Sequence, residues 1–387
     1  MSERNFSPWG LALAGLAATL LGLGFGRFAY TPLLPALVGD GWVTGPQGAL
    51  LGATNLLGYF IGAVAAAMAA RHVGSVRLLR LSMALTALSL LACAWNGGLI
   101  WLGFWRLLAG ITGAFLVVLA APVVMAAVPA EKRALVAGVV FSGIGSGVLM
   151  AGFLLPAMAG YGLPLTWAML GLIGLAMTGT VWGRWPRGQV VPPAKLTGGS
   201  RPLLLFALAY GADGMGFVPH TLFLSDFVAR GLGQGVAAGG FYWALFGIGA
   251  LVGPMAVARL AGRRGFPVAF TLVLAVKAAA VLLPLLSVAP PLLALSAFIV
   301  GALTPGSVTL ASGVAGRVVG PAFHTAAWAR MTALFALFQA AGGYGLSALF
   351  AATGSYLLLF AIGGVVLGLG ALSALAATRL LAKEASP

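Results

Sequence analysis

The segment GLGFGRFAYTPLLP, Gly22–Pro35, places one arginine, Arg27, inside an otherwise apolar stretch. No other charged residue occurs between Trp9 and Val38, and at ~1.5 Å rise per residue a helix of this length crosses a ~30 Å hydrocarbon layer. A charge near the centre of that layer costs about 2.5 kcal/mol or more, so it is retained where it faces protein, a counter-ion or water. The segment therefore predicts a membrane-spanning helix that carries a functional site.

Glycines and prolines shape the same helix. Gly22, Gly24 and Gly26 leave one face thin enough for the close approach of another helix. Pro32 and Pro35 weaken the helix beyond its charged residue and leave backbone carbonyls that neighbouring groups must satisfy. We therefore expect a close-packed helix that is broken at its prolines.

The composition of the chain extends this interpretation to the whole molecule. Of 387 residues, 61% are hydrophobic and 7% are charged, whereas a soluble domain carries about 25% charged residues. We therefore predict an all-α integral membrane protein. No short apolar segment with a cleavage site precedes the first span, so no removed signal peptide is expected. The single cysteine, Cys93, excludes an intrachain disulfide.

About twelve apolar segments are long enough to cross a membrane, and the short connections between them make neighbours antiparallel. They run over residues 9–38, 46–70, 75–95, 99–128, 133–157, 163–183, 202–229, 235–258, 266–288, 290–314, 323–352 and 355–380.

Basic residues concentrate in every second connection, and the formal net charge is +15. This alternation is the orientation signal of membrane proteins rather than a sign of nucleic-acid binding. It predicts a multi-pass protein of a bacterial-type inner membrane, with both termini and the loop 184–201 in the cytoplasm. The basic residues on that side are Arg4, Arg71, Arg77, Arg80, Lys132, Arg133, Arg184, Arg187, Lys195, Arg201, Arg259, Arg263, Arg264, Arg317, Arg379 and Lys383.

The two halves of the chain repeat at an offset of about 187 residues, which places Pro32 on Pro219, among other matches. Two parallel six-span repeats around a central linker are typical of transporters built from two pseudo-symmetric bundles. We predict an N-terminal bundle at 1–183, a cytoplasmic linker at 184–201 and a C-terminal bundle at 202–387.

Local motifs then resemble the major facilitator superfamily across the whole chain. RHVGSVR at 71–77 and RLAGRR at 259–264 resemble the cytoplasmic loop motif of that family, although Ala70 and Ala258 replace its acidic residue. RLLAGITGA at 106–114 resembles the motif of its fourth span, with alanine in place of the usual glutamine. The resemblance implies the major facilitator fold of two six-helix bundles.

Two further segments are similar to the YbfB/YjiJ-like branch of this superfamily. They are GFGRFAYTP at 24–32 and WARMTALFALFQ at 328–339. Membership of that branch implies a transporter and leaves its substrate open.

Asp213 is the one acidic residue near the middle of a predicted span. The repeat offset places it on Gly26, next to Arg27, so Asp213 and Arg27 are expected at similar depth. An ion pair would offset the burial of both charges. We predict that the two residues pair, either as a gate that responds to protons or substrate or as a static bridge between the halves.

Four more ionisable residues fall inside predicted spans. The resemblance associates Arg106 with proton coupling, and helix packing is the alternative. Lys277, in the ninth span, is expected to be peripheral and to snorkel or to form a local hydrogen bond. Arg330 is either a gate or a residue of the cytoplasmic surface. His220 is a second gate candidate because histidine titrates near physiological pH, but a satisfied structural histidine is favoured.

Among uncharged polar residues, Tyr30, Asn55 and Gln339 are predicted to face a cavity, because an unpaired amide in lipid is costly. The chain has no nucleotide-binding Gly-x4-Gly-Lys-Ser/Thr motif, no histidines at metal-ligand spacing and no hydrolytic constellation. We therefore expect no enzyme activity, no metal and no cofactor.

These observations predict a secondary active transporter that moves a small organic solute by alternating access of its bundles. A proton gradient would supply the energy, and the protein would act as a monomer in the bilayer. Buried cations outnumber the central acid, which favours an organic anion or zwitterion with a carboxylate held by an arginine. The alternatives are a proton-driven exporter of hydrophobic, drug-like compounds and a non-transporting membrane receptor or scaffold. A channel is disfavoured because no filter motif is present.

Overall fold

The computed structural model describes residues 7–186, 200–320 and 323–384. Within these ranges it is all-helical, and twelve helices are long and apolar enough to cross a membrane, which confirms the predicted architecture. In chain order they are α1 Pro8–Gly39, α2 Gly45–Val73, α3 Ser75–Ala92, α4 Gly98–Ala126, α5 Arg133–Ala159, α6 Leu163–Val181, α7 Arg201–Gly231, α8 Gly235–Arg264, α9 Phe266–Leu286, α10 Pro290–Val319, α11 His324–Thr353 and α12 Tyr356–Glu384.

The helices α8 and α10 run further than the sequence predicted. They end at Arg264 and Val319, directly before Gly265 with φ 78° and Gly320 with φ 76°. A glycine adopts a positive φ without the steric cost that other residues pay, so these two positions are suited to end a helix. Arginines assigned to loops therefore lie in the last turns, where a positive charge is favoured by the helix dipole.

The chain divides into two compact units, Met1–Pro192 and Pro193–Pro387. This division falls inside the predicted linker 184–201, of which residues 187–199 lie outside the described residues, as does Arg4. The predicted bundle limits and the predicted orientation in the membrane stay predictions.

Each unit packs its helices in the same pattern. In the first unit α1 packs against α5, α2 against α4, and α3 against α6. In the second unit α7 packs against α11, α8 against α10, and α9 against α12. Each pair of the second unit is a pair of the first unit moved by six helices, as the sequence repeat requires.

Helix α1 is irregular, but not at the predicted place. A π-helical segment, Leu20–Phe28, lies between two α-helical parts, and α-helix resumes from Tyr30 through both prolines to Gly39. Pro32 has no N–H to donate to the carbonyl four residues earlier, so a proline disturbs the turn that precedes it. The irregular segment contains Arg27 instead of following it, and it begins at Leu20, well before the turn that Pro32 disturbs.

Helix α7 also has π-helical turns near Pro219, the repeat counterpart of Pro32, but there they begin at the proline and follow it. Its regular α-helical part ends at Gly216, and π-helical segments follow at Pro219–Phe223 and Phe227–Gly231. Wide turns of this kind are frequent at functional sites. The first helix of each unit thus contains π-helical turns, within α1 and in the second half of α7.

The glycines of α1 allow the predicted close approach of other helices. A Cβ atom added to Gly24 would lie 2.8 Å from the Cα atom of Gly147 in α5. A Cβ atom added to Gly22 would lie 3.0 Å from the Cβ atom of Leu116 in α4. The π-helical segment is therefore held between α4 and α5 by contacts that a larger side chain would prevent.

Candidate functional site

In the first unit, two side chains converge on the carbonyl oxygen of Gly26 in the π-helical segment. Arg106, buried in α4, donates from Nη1 to this oxygen at 2.8 Å. Asn55, buried in α2, donates from Nδ2 to the same oxygen at 3.3 Å and to the carbonyl oxygen of Arg106 at 2.9 Å. Three helices are thereby joined at one point next to Arg27.

Tyr30 supplies an aromatic face for the guanidinium of Arg106. The Cζ atom of Arg106 lies 4.3 Å from the centre of the Tyr30 ring. The Tyr30 hydroxyl donates to the carbonyl oxygen of Gly48 at 2.6 Å, which holds the ring in place. A cation–π contact contributes about 0.5–2 kcal/mol, so it offsets only part of the cost of burying a charge.

The charge of Arg106 has no acidic partner among the residues that the structure describes. In the same part of the chain, the Nε atom of Arg106 and the Oδ1 atom of Asn55 have no hydrogen-bond partner. The Nε atom is a hydrogen-bond donor and the Oδ1 atom is an acceptor. Both belong to side chains that donate to the carbonyl oxygen of Gly26. This arrangement can receive an anionic group that carries a hydrogen-bond donor of its own.

Arg27 is buried beside this cluster. Its Cζ atom lies 4.9 Å from the centre of the Phe28 ring and 5.4 Å from that of Tyr59. Arg106 donates to the carbonyl oxygen of Gly26, the residue directly before Arg27, so both arginines adjoin one peptide group. We call Arg27, Tyr30, Asn55, Tyr59 and Arg106 the arginine site; four of these five residues, all except Tyr59, are among the predicted site residues.

In the second unit, Asp213 forms a buried cluster with residues from two other helices. The Nζ atom of Lys277 in α9 lies 2.7 Å from Oδ1, and Ser307 in α10 donates to Oδ2 at 2.5 Å. All three side chains are buried. Lys277 also lies over the ring of Phe217, with Nζ 4.5 Å from the ring centre. We call Asp213, Lys277 and Ser307 the carboxylate cluster.

Two expectations are corrected by this cluster. The partner of Asp213 in the structure is Lys277 and not Arg27, because α9 carries its amine to within hydrogen-bond distance of the carboxylate. Lys277 is therefore fully buried and does not snorkel. A lysine with a carboxylate in reach pairs with it inside the protein, since each charge reduces the burial cost of the other.

Sequence reasoning did not place Lys277 and Ser307 in the site. For Lys277 a signal existed, because it is the single charge of α9 and Asp213 is the single acid near the middle of α7. Arg27 is also the lone charge of its span, so this signal alone does not choose between the two partners. Serine is common in membrane helices as a backbone-bonding residue, so Ser307 gave no comparable signal.

His220 lies in the first π-helical segment of α7 and is buried. Its Nε2 atom is 2.8 Å from Oγ of Ser296, which itself lies 2.7 Å from the carbonyl oxygen of Ala280. Because the serine proton is used by that carbonyl, Nε2 is the donor to Ser296, and Nδ1 has no partner among the described residues. A gate role for His220 stays a prediction.

The remaining candidates lie in α11. Gln339 is buried, whereas Arg330 is exposed near the start of the helix. Their cavity and gate roles stay predictions. No group of three or more metal-ligating side chains occurs within the described ranges, and nothing in either cluster has the form of a cofactor site.

At the end of α7, Asp226 joins α7 to the start of α12. Arg230 donates to its two carboxylate oxygens at 2.5 and 2.6 Å, and the Tyr356 hydroxyl donates to Oδ2 at 2.5 Å. Asp226 is buried, and Arg230 is about a third exposed, at 30%. Because both carboxylate oxygens of Asp226 accept hydrogen bonds, this ion pair joins the end of α7 to the start of α12. It leaves no uncompensated charge on Asp226.

Comparison with known proteins agrees with this architecture. Residues 19–375 match the family described as "Uncharacterised MFS-type transporter YbfB". Among solved structures, a bacterial homologue of the human lysosomal transporter Spinster is similar in its inward-facing, unoccupied conformation, with a TM-score of 0.74, 16% identity and 99% of both chains covered. Its inward-facing, occupied conformation gives a TM-score of 0.72, 17% identity and 98% coverage of both chains. At these identities the likeness shows the fold alone. No curated protein matches the chain.

Proposed function

Because the chain belongs to the YbfB family of MFS-type transporters, we propose that it is a proton-coupled transporter of a small organic anion. The family and the fold support a multi-pass secondary transporter that works by alternating access. The proposed substrate class rests on the arginine site, and the proposed coupling ion rests on the carboxylate cluster. The proposed location is a bacterial-type inner membrane.

The observation that carries the substrate class is the buried guanidinium of Arg106, which has no acidic partner in the described part of the chain. A second buried cation, Arg27, directly follows Gly26, whose carbonyl oxygen accepts from Arg106. Two like charges in a site of low dielectric repel each other, and a bound anion removes that cost. Arginine suits a carboxylate because its planar fork donates two parallel hydrogen bonds.

The uncharged residues of the arginine site further restrict the class of substrate that we propose. The rings of Tyr30 and Tyr59 offer apolar faces beside the cations. The Oδ1 atom of Asn55 can accept a hydrogen bond. These groups favour a carboxylate with an apolar body and a hydroxyl or amino group near the acid, which includes zwitterions.

The carboxylate cluster supports proton coupling. In its ionised form Asp213 is satisfied by Lys277 and Ser307. A proton on Asp213 would remove the charge that compensates Lys277, so a conformation that separates the pair binds a proton more readily. By linkage, the proton then favours that conformation, and substrate binding and proton binding become coupled through it.

The proposal is tested with purified protein and a panel of ligands. We expect small carboxylates to raise the midpoint of thermal unfolding (Tm), because a ligand at about 100 times its Kd adds about 2.7 kcal/mol. The best of them should then be taken up by proteoliposomes when a pH gradient is imposed. Arg106→Gln should lose the ligand-induced shift, whereas Arg71→Gln, which removes an exposed arginine at the end of α2, should keep it.

Other results would support the alternatives. Stabilisation by hydrophobic compounds that carry no carboxylate, together with their efflux, would support the exporter of drug-like compounds. Ligand binding with no flux under any gradient would support the receptor. Either outcome contradicts the proposal.

A further inference from the structure

The second unit carries a cleft of about 440 Å³ between the start of α7 and the start of α11. Two arginines, Arg201 and Arg330, line it, and both are exposed. Its other walls are mainly apolar and include Leu204, Met331 and Leu334. The cleft belongs to neither the arginine site nor the carboxylate cluster, and the proposed function makes no use of it.

The charges around this cleft are of one sign. Arg201 is the first residue of α7, and Arg330 lies in the second turn of α11. The start of a helix already carries a partial positive charge, and neither helix has an acidic residue in its first turn. No acidic side chain is among the described residues that line the cleft. Two cations at two helix starts form an arrangement that an anion stabilises.

The apolar surface continues from the cleft along both helices. On α7, Leu204 is 59% exposed and Leu208, one turn further, is 38% exposed. On α11, Leu337 follows Leu334 and is 44% exposed. Rows of exposed leucines along membrane-spanning helices are suited to contact with the acyl chains of lipids. They are not suited to line the pathway of a water-soluble ion. The ligand that fits therefore has an anionic head and an apolar chain.

We propose that this cleft binds an anionic phospholipid of the cytoplasmic leaflet. Arg201 and Arg330 hold its phosphate, and an acyl chain lies along Leu204 and Leu208. The predicted orientation places the starts of α7 and α11 at the cytoplasmic face, where anionic lipids attract basic residues. Basic pockets between membrane helices on that side are suited to lipid head groups.

The test uses the full chain purified in detergent, to which phosphatidylglycerol or phosphatidylcholine with identical acyl chains is added, and bound lipid is counted by native mass spectrometry. We expect the parent protein to retain phosphatidylglycerol preferentially. Arg201→Gln with Arg330→Gln should weaken its apparent affinity about thirtyfold, about fivefold per arginine, and should leave that for phosphatidylcholine unchanged. Arg259→Gln with Arg263→Gln is the control, because these arginines do not line the cleft.

Both cleft arginines are exposed, so their substitution should not impair folding. Each single variant should bind phosphatidylglycerol about fivefold more weakly, and this graded loss distinguishes a binding effect from misfolding. Equal retention of phosphatidylglycerol by the cleft variant and by the control variant would overturn the proposal. It would also be overturned if inorganic phosphate alone, without lipid, raised the Tm of the parent protein and not that of the cleft variant. The site would then take a soluble anion.

Discussion

The amine of Lys277 lies 2.7 Å from the carboxylate of Asp213, and both side chains are buried. The pair joins α9 to α7 inside one unit, and Ser307 of α10 completes it. A buried ion pair is costly to break from one side, because the remaining charge is left without compensation, whereas removal of both partners is often tolerated. The two substitutions are therefore expected to have non-additive effects on stability, unlike substitutions at two independent residues.

We expect Lys277→Met and Asp213→Asn to destabilise the protein singly by about 3–5 kcal/mol, and the double variant to lose less than the sum. The measurement is a double-mutant cycle on thermal unfolding of the purified protein. The control cycle combines Asp213→Asn with Arg317→Gln, since Arg317 is an exposed cation of α10. That control should be additive. Additivity in the Lys277 cycle as well would show that the pair contributes no coupling energy.

The contact between Gly24 and Gly147 leads to a second prediction. Gly24→Ala would bring a Cβ atom to 2.8 Å from the Cα atom of Gly147, and backbone cannot yield as a flexible side chain does. We expect a loss of about 1–3 kcal/mol from overpacking. Gly10→Ala, in the same helix, has no atom within 4 Å of the added Cβ. It should leave the Tm unchanged or slightly raised, and equal losses for the two variants would contradict the close-packing account.

The architecture could be predicted from the sequence because the length of an apolar run shows whether a helix can cross a membrane. The twelve apolar runs correspond to the twelve helices. The sequence was also sufficient for much of the arginine site. A charge or an amide inside an apolar run must be satisfied by protein, so Arg27, Arg106 and Asn55 were visible as residues that face inward.

The partner of Asp213 could not be found in the same way. In a soluble helix the polar face shows which side is exposed, but a membrane helix such as α9 is apolar on all sides. Its sequence therefore does not show whether Lys277 faces lipid or protein. The π-helical segment of α1 could not be predicted from its prolines either, because it begins at Leu20, well before the turn that Pro32 disturbs.

Asn55 gives a third prediction, which concerns how the arginine site is held together. Its amide donates to two buried carbonyl oxygens, those of Gly26 and Arg106. Asn55→Leu leaves the Arg106 carbonyl without this donor, so we expect a loss of about 1–3 kcal/mol. Asn55→Asp also removes the Nδ2 donor, but its carboxylate would lie beside the charge of Arg106, which has no acidic partner among the described residues. We therefore expect it to lose less stability than Asn55→Leu.

The measurement is again thermal unfolding, now compared with Thr180→Ala. That variant removes an exposed side-chain hydrogen bond in the same unit and should have little effect. If Asn55→Leu were as stable as the parent protein, the Nδ2 atom would not be the group that holds the two carbonyls.

The last prediction concerns the driving force and rests on the proposed function. Asp213 is the acidic residue of the carboxylate cluster, and the chain has no nucleotide-binding motif, so coupling to protons should depend on it. Asp213→Asn fixes a neutral group of nearly the same shape. It should abolish uphill uptake driven by a pH gradient while leaving exchange of substrate across the membrane at least partly intact.

Because Asp213→Asn also leaves Lys277 uncompensated, Asp213→Asn with Lys277→Gln serves as the second variant. This double variant should be more stable than Asp213→Asn and equally uncoupled. The measurement is transport into proteoliposomes with and without an imposed pH gradient, using the ligand found by thermal shift. Concentrative uptake by both variants at the parent's level would assign Asp213 a structural role, and coupling would then have to run through His220, through a protonated substrate or through another ion.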